Sequence, residues 1–269
     1  MPEGAARAAD AQPREPLHLT SRDNPLLQRL RKLAQDPGAY RKLGQVWIEG
    51  EHLGSALRSR GWRAAHAVVT EEGWALSRAL RALAGTAERI AIVPAVLFKG
   101  FSTLESPAPI GFVIDLPAAP PIDAHAATLV LDRVQDAGNV GSMLRSAAAF
   151  GCTQVLAIKG TAALWSPKVL RAGMGAHFGL ALIEGLDEAA LDALRVPLVA
   201  TSSHAGTALP QAVLPRPCAW VLGHEGQGVS ARLLERCALQ VRIPQPGGEE
   251  SLNVAAAAAV CLYESARGG

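Results

Sequence analysis

The sequence predicts an α/β protein of two units, the second built on a parallel sheet. Three observations predict it. Short apolar runs alternate with helix-length stretches along most of the chain. The alternation is interrupted by a proline-rich stretch at residues 116–127. After that stretch, glycine-containing segments fall at the strand-to-helix junctions.

Residues 1–20 are rich in Ala, Pro and Arg without periodicity, which predicts a flexible tail. Pro25 opens a helix, with Asn24 suited to its N-cap. Arg29, Arg31, Lys32, Arg41 and Lys42 then stand against Asp36 alone. On a short helix pair such a cluster can track phosphates or simply form a solvated face. Apolar runs at 46–48, 67–69, 90–93 and 111–114 alternate with helical stretches at 52–59 and 75–83, giving a small α/β unit over residues 21–115. Residues 116–127 form a linker.

From residue 128 the alternation starts afresh. Strands are predicted at 129–131, 155–158, 198–200, 219–222 and 239–243, and helices at 140–150, 167–174, 189–194, 231–236 and 254–265. Continuously apolar strands imply a parallel sheet covered on both faces. Ligands of such sheets bind outside the carboxyl ends of the strands, so the loops there carry the function.

Composition excludes several classes. The 269 residues hold 26 Lys and Arg against 24 Asp and Glu, so the net charge is 26 − 24 = +2. With 49% hydrophobic and 19% charged residues the chain can bury a core. Aromatics are 4%, which argues against a binding face of stacked rings. The longest apolar run, 254–262, falls far short of the roughly 20 residues that span a bilayer. The first residues lack a secretory h-region, and Glu3, Asp10 and Glu15 argue against a mitochondrial presequence, so a cytoplasmic protein is expected. Cys152, Cys218, Cys237 and Cys261 are too far apart for a zinc pair and are expected to be buried thiols. The histidines show no ligand spacing, so no metal is expected.

Four junctions carry candidate chemistry. After the first strand of the second unit, Asn139 is an N-cap candidate, and Gly138 and Gly141 permit close approach. Arg145 sits on an otherwise apolar helix and needs a structural carboxylate or an anionic ligand. The loop Gly223-His224-Glu225-Gly226-Gln227-Gly228 folds tightly ahead of Ser230, a cap candidate, and fits neither a Walker A nor a GxGxxG pattern. The segment from Ile243 to Asn253 is a stiff Pro/Gly loop in which Ser251 or Asn253 can cap the following alanine-rich helix. In the fourth, Pro167 suits helix position N1, and Lys168 and Arg171 share a face suited to phosphate.

Together these segments resemble the SpoU (TrmH-type) family of RNA ribose 2′-O-methyltransferases, within the knotted SPOUT superfamily. The resemblance lies in DRVQDAGNVGSMLRSAAAFG (132–151), VLGHEGQGVS (221–230) and IPQPGGEESLNVAAAAAV (243–260), and covers about residues 128–266. NPLLQRLRKL and WIEGEHLGSAL resemble, more loosely, the small substrate-binding domain that precedes the catalytic domain in many members. The resemblance implies a C-terminal trefoil-knotted parallel-sheet methyltransferase domain that holds S-adenosylmethionine bent in the knot. Gly223, Ile243 and Leu252 would hold the cofactor largely through backbone groups, with Thr201 assisting. Asn139, Arg145, Glu225, Ser251 and Asn253 would map to the catalytic cleft. A homodimer is implied, with RNA as substrate, ribosomal RNA ahead of transfer RNA. Arg29, Arg31, Lys32, Arg41, Lys42, Lys168 and Arg171 are the expected RNA contacts. His224 and Ala255 depart from residues common in relatives at those positions.

The resemblance implies in-line methyl transfer to a ribose hydroxyl, in which the protein positions the hydroxyl, takes its proton and neutralises charge. In the family the residue at the Arg145 position has been proposed as general base. Neutralising an arginine near pH 7 costs roughly 7 kcal/mol or more. The physical expectation is therefore that Arg145 clamps phosphate and developing alkoxide, oriented by Glu225. A non-catalytic RNA-binding protein on the same fold is the alternative. A hydrolase using Ser251, His224 and Glu225 lacks a GxSxG elbow.

Overall fold

The computed structural model describes residues 15–202, 206–247 and 251–267. Most of the expected tail, residues 1–14, and residues 248–250 of the third family-like segment lie outside the described residues. Two compact units form: residues 1–35 with 45–115, and residues 36–44 with 116–269.

The first unit opens with β1 (Leu17–His18), inside the stretch expected to be a tail; it pairs in parallel with a later strand, Leu17 opposite Ala91. Helix α1 (Pro25–Gln35) follows, capped as expected by Asn24, whose Oδ1 accepts the Leu26 N–H at 2.9 Å. The short α2 (Ala39–Leu43) belongs to the second unit. Then come β2 (Gln45–Glu49), α3 (Glu51–Ser59), β3 (His66–Thr70), α4 (Glu71–Leu76), α5 (Arg78–Ala84), β4 (Arg89–Val93), α6 (Ala95–Lys99) and β5 (Ile110–Asp115). The single helix expected over 75–83 is broken at Ser77, whose extended backbone and hydroxyl cap a new helix at Leu80 N–H. The sheet order is β1-β4-β3-β5-β2, with β5 antiparallel to both neighbours. Its core is aromatic: Trp47 meets Phe101 edge-on at 5.5 Å. Gly111 gives that indole its space, since a Cβ there would lie 2.2 Å from the Trp47 ring.

The second unit continues with β6 (Thr128–Asp132), α7 (Ala137–Ala149), β7 (Gln154–Ile158), α8 (Pro167–Gly173), β8 (Ala181–Leu186), β9 (Leu198–Thr201), β10 (Thr207–Ala208), β11 (Ala219–Gly223), α9 (Ala231–Arg236), β12 (Leu239–Arg242) and α10 (Val254–Arg267). All seven strands pair in parallel, in the order β10-β12-β9-β11-β6-β7-β8. The predicted parallel α/β class is what forms. Strand β8 was not expected; its Gly185 and charged Glu184 interrupt the apolar run that marks its neighbours. The helix expected at 189–194 is a 3-10 turn over Glu188–Ala193.

The sheet order positions the site. Strand β11 inserts between β6 and β9, although β9 and β10 precede it in the chain. Loops leaving β6 and β11, far apart in sequence, therefore start side by side, Gly223 opposite Asp132. On the same sheet Val241 of β12 pairs with Thr201 of β9. Helix α7 packs on α8 so closely that a Cβ at Gly141 would lie 2.4 Å from Ala172 Cβ and 2.7 Å from the Val169 carbonyl. The four cysteines are free thiols, three of them buried, and burial pushes Cys152 and Cys261 up to about 12. No described helix is long and apolar enough to cross a membrane, and no group of potential metal ligands gathers among the described residues.

Candidate active site

The carboxyl ends of β9, β11 and β12 meet the amino end of α10 around a pocket of about 370 Å³. Thr201, Gly223, Ile243 and Leu252, the four expected cofactor contacts, all line it, as does Ser251. Gln245 lines it too and was not singled out from the sequence.

The loop after β11 is shaped by its glycines. A Cβ on Gly223 would fall 2.1 Å from the Gly228 carbonyl carbon and the Val229 nitrogen, both backbone atoms that cannot give way. The loop closes through paired bonds, His224 N–H to Gly228 O at 3.1 Å and Gly228 N–H to His224 O at 2.8 Å. His224 also accepts the Gly226 and Gln227 N–H groups on Nδ1, at 3.0 and 3.3 Å. The residue that departs from the family pattern thus serves the turn as an acceptor. Asp132, fully buried at the end of β6, ties the far side of the loop by accepting the Ser230 N–H at 2.7 Å. Ser230 stands at the N-cap of α9 but caps nothing with its side chain, contrary to expectation.

Across from this loop, the amino end of α7 is held by a chain of directed hydrogen bonds. Asp136, not Asn139, caps the helix; its Oδ1 accepts the Asn139 N–H at 2.8 Å. Gly138 makes room for that carboxylate, since a Cβ there would lie 2.9 Å from it. Treating Asn139 as the cap placed the helix start three residues late. An aspartate three residues before the amide it serves was the signal in the sequence.

Glu225 reaches across from the glycine loop and accepts the Gln135 and Asp136 N–H groups at 3.1 and 2.9 Å and the Asn139 side-chain amide at 3.1 Å. Asn139 Oδ1 in turn accepts from Asn253 Nδ2 at 3.0 Å. Asn253 Oδ1 caps α10 by accepting the Ala255 and Ala256 N–H groups at 2.9 and 3.2 Å. A carboxylate at one end and helix N–H groups at the other fix the direction of both amides. Asn139 and Asn253 must each donate along the chain, and each keeps a second N–H. Partial desolvation acts to raise the Glu225 carboxyl, but the N–H groups of Asp136 and of Glu225 itself, the Asn139 amide and the Gln135 N–H outweigh it and hold the group down at about 2.

Arg145 lies on the third turn of α7, exposed, and has no hydrogen bond or ion pair among the described residues. The structural carboxylate it was weighed against is not found among the described residues. Nor does Glu225 orient it, because the Glu225 oxygens are committed to the start of α7. Lys168 Nζ lies 3.6 Å from Asp136 at the same helix start, with Arg171 one turn along α8. The basic stretch 29–42 divides between the units. In the first, Arg29 donates to the Gln45 side chain at 2.8 Å, Arg31 to the Arg22 carbonyl at 2.9 Å, and Lys32 lies on α1. In the second, Arg41 pairs with Glu184 at 2.9 Å and Lys42 is exposed. Glu184 also accepts from the Tyr40 hydroxyl, and burial and that carboxylate push the phenol up.

The SpoU rRNA Methylase family model matches residues 126–263. An uncharacterized tRNA/rRNA methyltransferase of Synechocystis sp. is 36% identical over 262 residues, which cover 93% of each chain. The 23S rRNA (guanosine(2553)-2′-O)-methyltransferase RlmP of Bacillus subtilis is 32% identical over 226 residues, 82% of this chain and 88% of the relative. Among solved structures, the SpoU methyltransferase AviRb from Streptomyces viridochromogenes, in complex with AdoMet, matches with TM-score 0.83 at 25% identity, covering 91% of this chain and 98% of the other.

Proposed function

This chain belongs to the SpoU rRNA methylase family, and from that premise we propose how its residues carry out the family's reaction. The chain is an S-adenosylmethionine-dependent RNA 2′-O-methyltransferase, acting on a ribose 2′-hydroxyl of ribosomal RNA. The observation that carries this reading is the directed chain Glu225–Asn139–Asn253 beside a pocket at parallel strand ends, with an arginine, unpartnered among the described residues, about two helical turns further along α7.

The residues present fit the cofactor. The pocket volume lies within the range of about 300–1,000 Å³ usual for small-ligand sites. It offers backbone-rich loops at strand ends and one buried acceptor, Gln245 Oε1, without a partner among the described residues. Thr201, Gly223, Ile243 and Leu252 would hold S-adenosylmethionine, which when bound supplies an activated methyl group on a sulfonium. The threading of the C-terminal segment as a trefoil knot belongs to this proposal. It is supported by the insertion of β11 between β6 and β9 and by the meeting of residues 223–229 with Ile243, Gln245, Ser251, Leu252 and Val254 in one pocket.

Arg145 then has one task open to it. With no carboxylate paired to it among the described residues, its guanidinium is available to a phosphate of the target RNA and to charge growing on the ribose oxygen. Asn139 and Asn253 each present a spare N–H to the incoming nucleotide, at an angle set by Glu225. Glu225, ionised down to about pH 2, is a weak proton acceptor and acts as a positioning residue. Ser251, exposed at the pocket edge, completes the cleft. Lys168 and Arg171 extend the cationic track along α8. Arg29, Arg31 and Lys32 of the first unit, and Arg41 and Lys42, serve RNA selection. A second copy would cover α10, which leaves Val260 and Tyr263 exposed. The protein works in the cytoplasm, where ribosomal RNA is made available to it.

The test is methyl transfer from labelled S-adenosylmethionine to ribosomal RNA taken from a strain lacking the gene, followed by mapping of ribose methylation. Labelling at a single ribose is the expected result. RNA that takes no label, or transfer RNA labelled in its place, counts against the substrate.

A further inference from the structure

Gln245 brings an amide side chain to the lining of the pocket. Gln245 follows the end of β12 by three residues, in a loop stiffened by Pro244 and Pro246. Its Oε1 is buried and has no hydrogen-bond partner among the described residues. Buried acceptors are ordinarily satisfied, and one left open costs free energy comparable to a lost hydrogen bond. The other described side-chain atoms in this condition, the ring nitrogens of Trp47, His66 and His177, belong to residues that do not line the pocket. Gln245 alone among the four does line it. The flanking prolines limit how far the loop can turn to bring Oε1 to water.

We propose that Gln245 is a ligand-recognition residue whose Oε1 accepts a hydrogen bond from an N–H or O–H donor of the nucleoside cofactor. The inference rests on the cofactor assignment above and deepens it. It makes the site selective for a ligand with a donor at that point, because a ligand lacking it would leave the buried acceptor unpaired. S-adenosylmethionine carries three kinds of donor: the purine 6-amino group, the ribose hydroxyls and the α-ammonium group. Any one of them supplies the missing partner, and the experiment separates them.

The experiment is calorimetric binding of S-adenosylhomocysteine and three analogues to the full chain. One analogue has a purine without the 6-amino group, one a ribose without its hydroxyls, and one a side chain without the α-ammonium group. Each is measured on the wild type and on Gln245→Met, which keeps length and loses the acceptor. A neutral hydrogen bond contributes about 1 kcal/mol, so Gln245→Met should weaken S-adenosylhomocysteine roughly 5–10-fold. One analogue should lose a similar factor on the wild type and nothing further on the variant; that analogue names the donor. Equal affinity of S-adenosylhomocysteine for both proteins overturns the inference. So do analogue losses that are the same on both. Because the wild-type series stands by itself, a variant that folds poorly does not rescue the idea: if no analogue binds more weakly than S-adenosylhomocysteine, it fails. A wild type that binds none of the four overturns the cofactor assignment itself, a separate and recognisable failure.

Discussion

The two ends of one helical segment behave oppositely. At the amino end of α7, Asp136, Glu225, Asn139 and Asn253 satisfy one another in a closed order, and the carboxylate there is held at about 2. Two turns later Arg145 is exposed and bonds to nothing among the described residues. The locked end has been organised in advance, so that orientation costs little when RNA arrives. The free end keeps its strongest interaction for the substrate. A site built this way leaves one end of the helix free of stabilising contacts, so activity can be perturbed there without stability, whereas changes at the locked end should touch both.

The sharpest break is at the free end. Arg145→Ala should lower the rate of methyl transfer by about 10²–10³-fold, the usual cost of removing one charge-stabilising donor. Its melting temperature should not move, since surface changes without contacts stay within about 0.5 kcal/mol. Arg145→Lys, assayed alongside, should retain substantial activity if charge suffices; near-complete loss would show that guanidinium geometry is required. A large fall in melting temperature for Arg145→Ala would remove the contrast altogether.

The glycine loop belongs to the locked side and should respond in the opposite way. Gly223→Ala places a methyl group against immovable backbone at 2.1 Å. A loss of about 1–3 kcal/mol in denaturant unfolding is expected, with loss of cofactor binding by calorimetry. Unchanged stability would mean that the loop opens freely.

Asp136→Ala removes the α7 cap and should cost about 1 kcal/mol, with Asp136→Ser recovering most of it. Asn139 loses its anchor at the same time, so kcat should fall with little change in KM. An equal effect on both would place Asp136 in substrate binding.

The smallest effect concerns acid. The Glu225 carboxyl lies below its ordinary value of 4.5 in the folded state, at about 2. Its ionised form therefore favours folding above pH 4.5, and that contribution is lost as pH falls from about 4.5 to about 2. Wild type should lose more stability than Glu225→Gln across this window, by a modest amount because solvent screens the group. Parallel acid titrations of the two proteins would place the low value elsewhere.

Much of the fold was legible because parallel strands are buried on both faces and so are written as apolar runs. Strands β6, β7, β9 and β11 fell within a residue or two of their predicted bounds for that reason. Strand β8 escaped because Glu184 belongs to a polar cluster with Tyr40 and Arg41, whose stretch lies more than a hundred residues away in sequence. The break at Ser77 escaped because the apolar pattern continues through it and only the hydroxyl cap marks it. In the candidate site, Asn139, Glu225 and Asn253 were singled out by resemblance, and their bonding to one another was not. Gln245 and Asp136 were passed over, one as part of a stiff loop and the other as a residue three positions before a supposed cap.

The order of residues by itself determined the α/β class, most strands of the second sheet and several helix starts. These depend on local properties: hydrophobic period, proline and glycine geometry, and capping side chains. Which groups meet was decided only by tertiary structure. The insertion of β11 between β6 and β9 brings Glu225 to Asn139 across 86 residues, and the return of α10 brings Asn253 to it across 114. Directional bonds of this kind depend on sheet order, and sheet order is fixed by the packing of the whole unit.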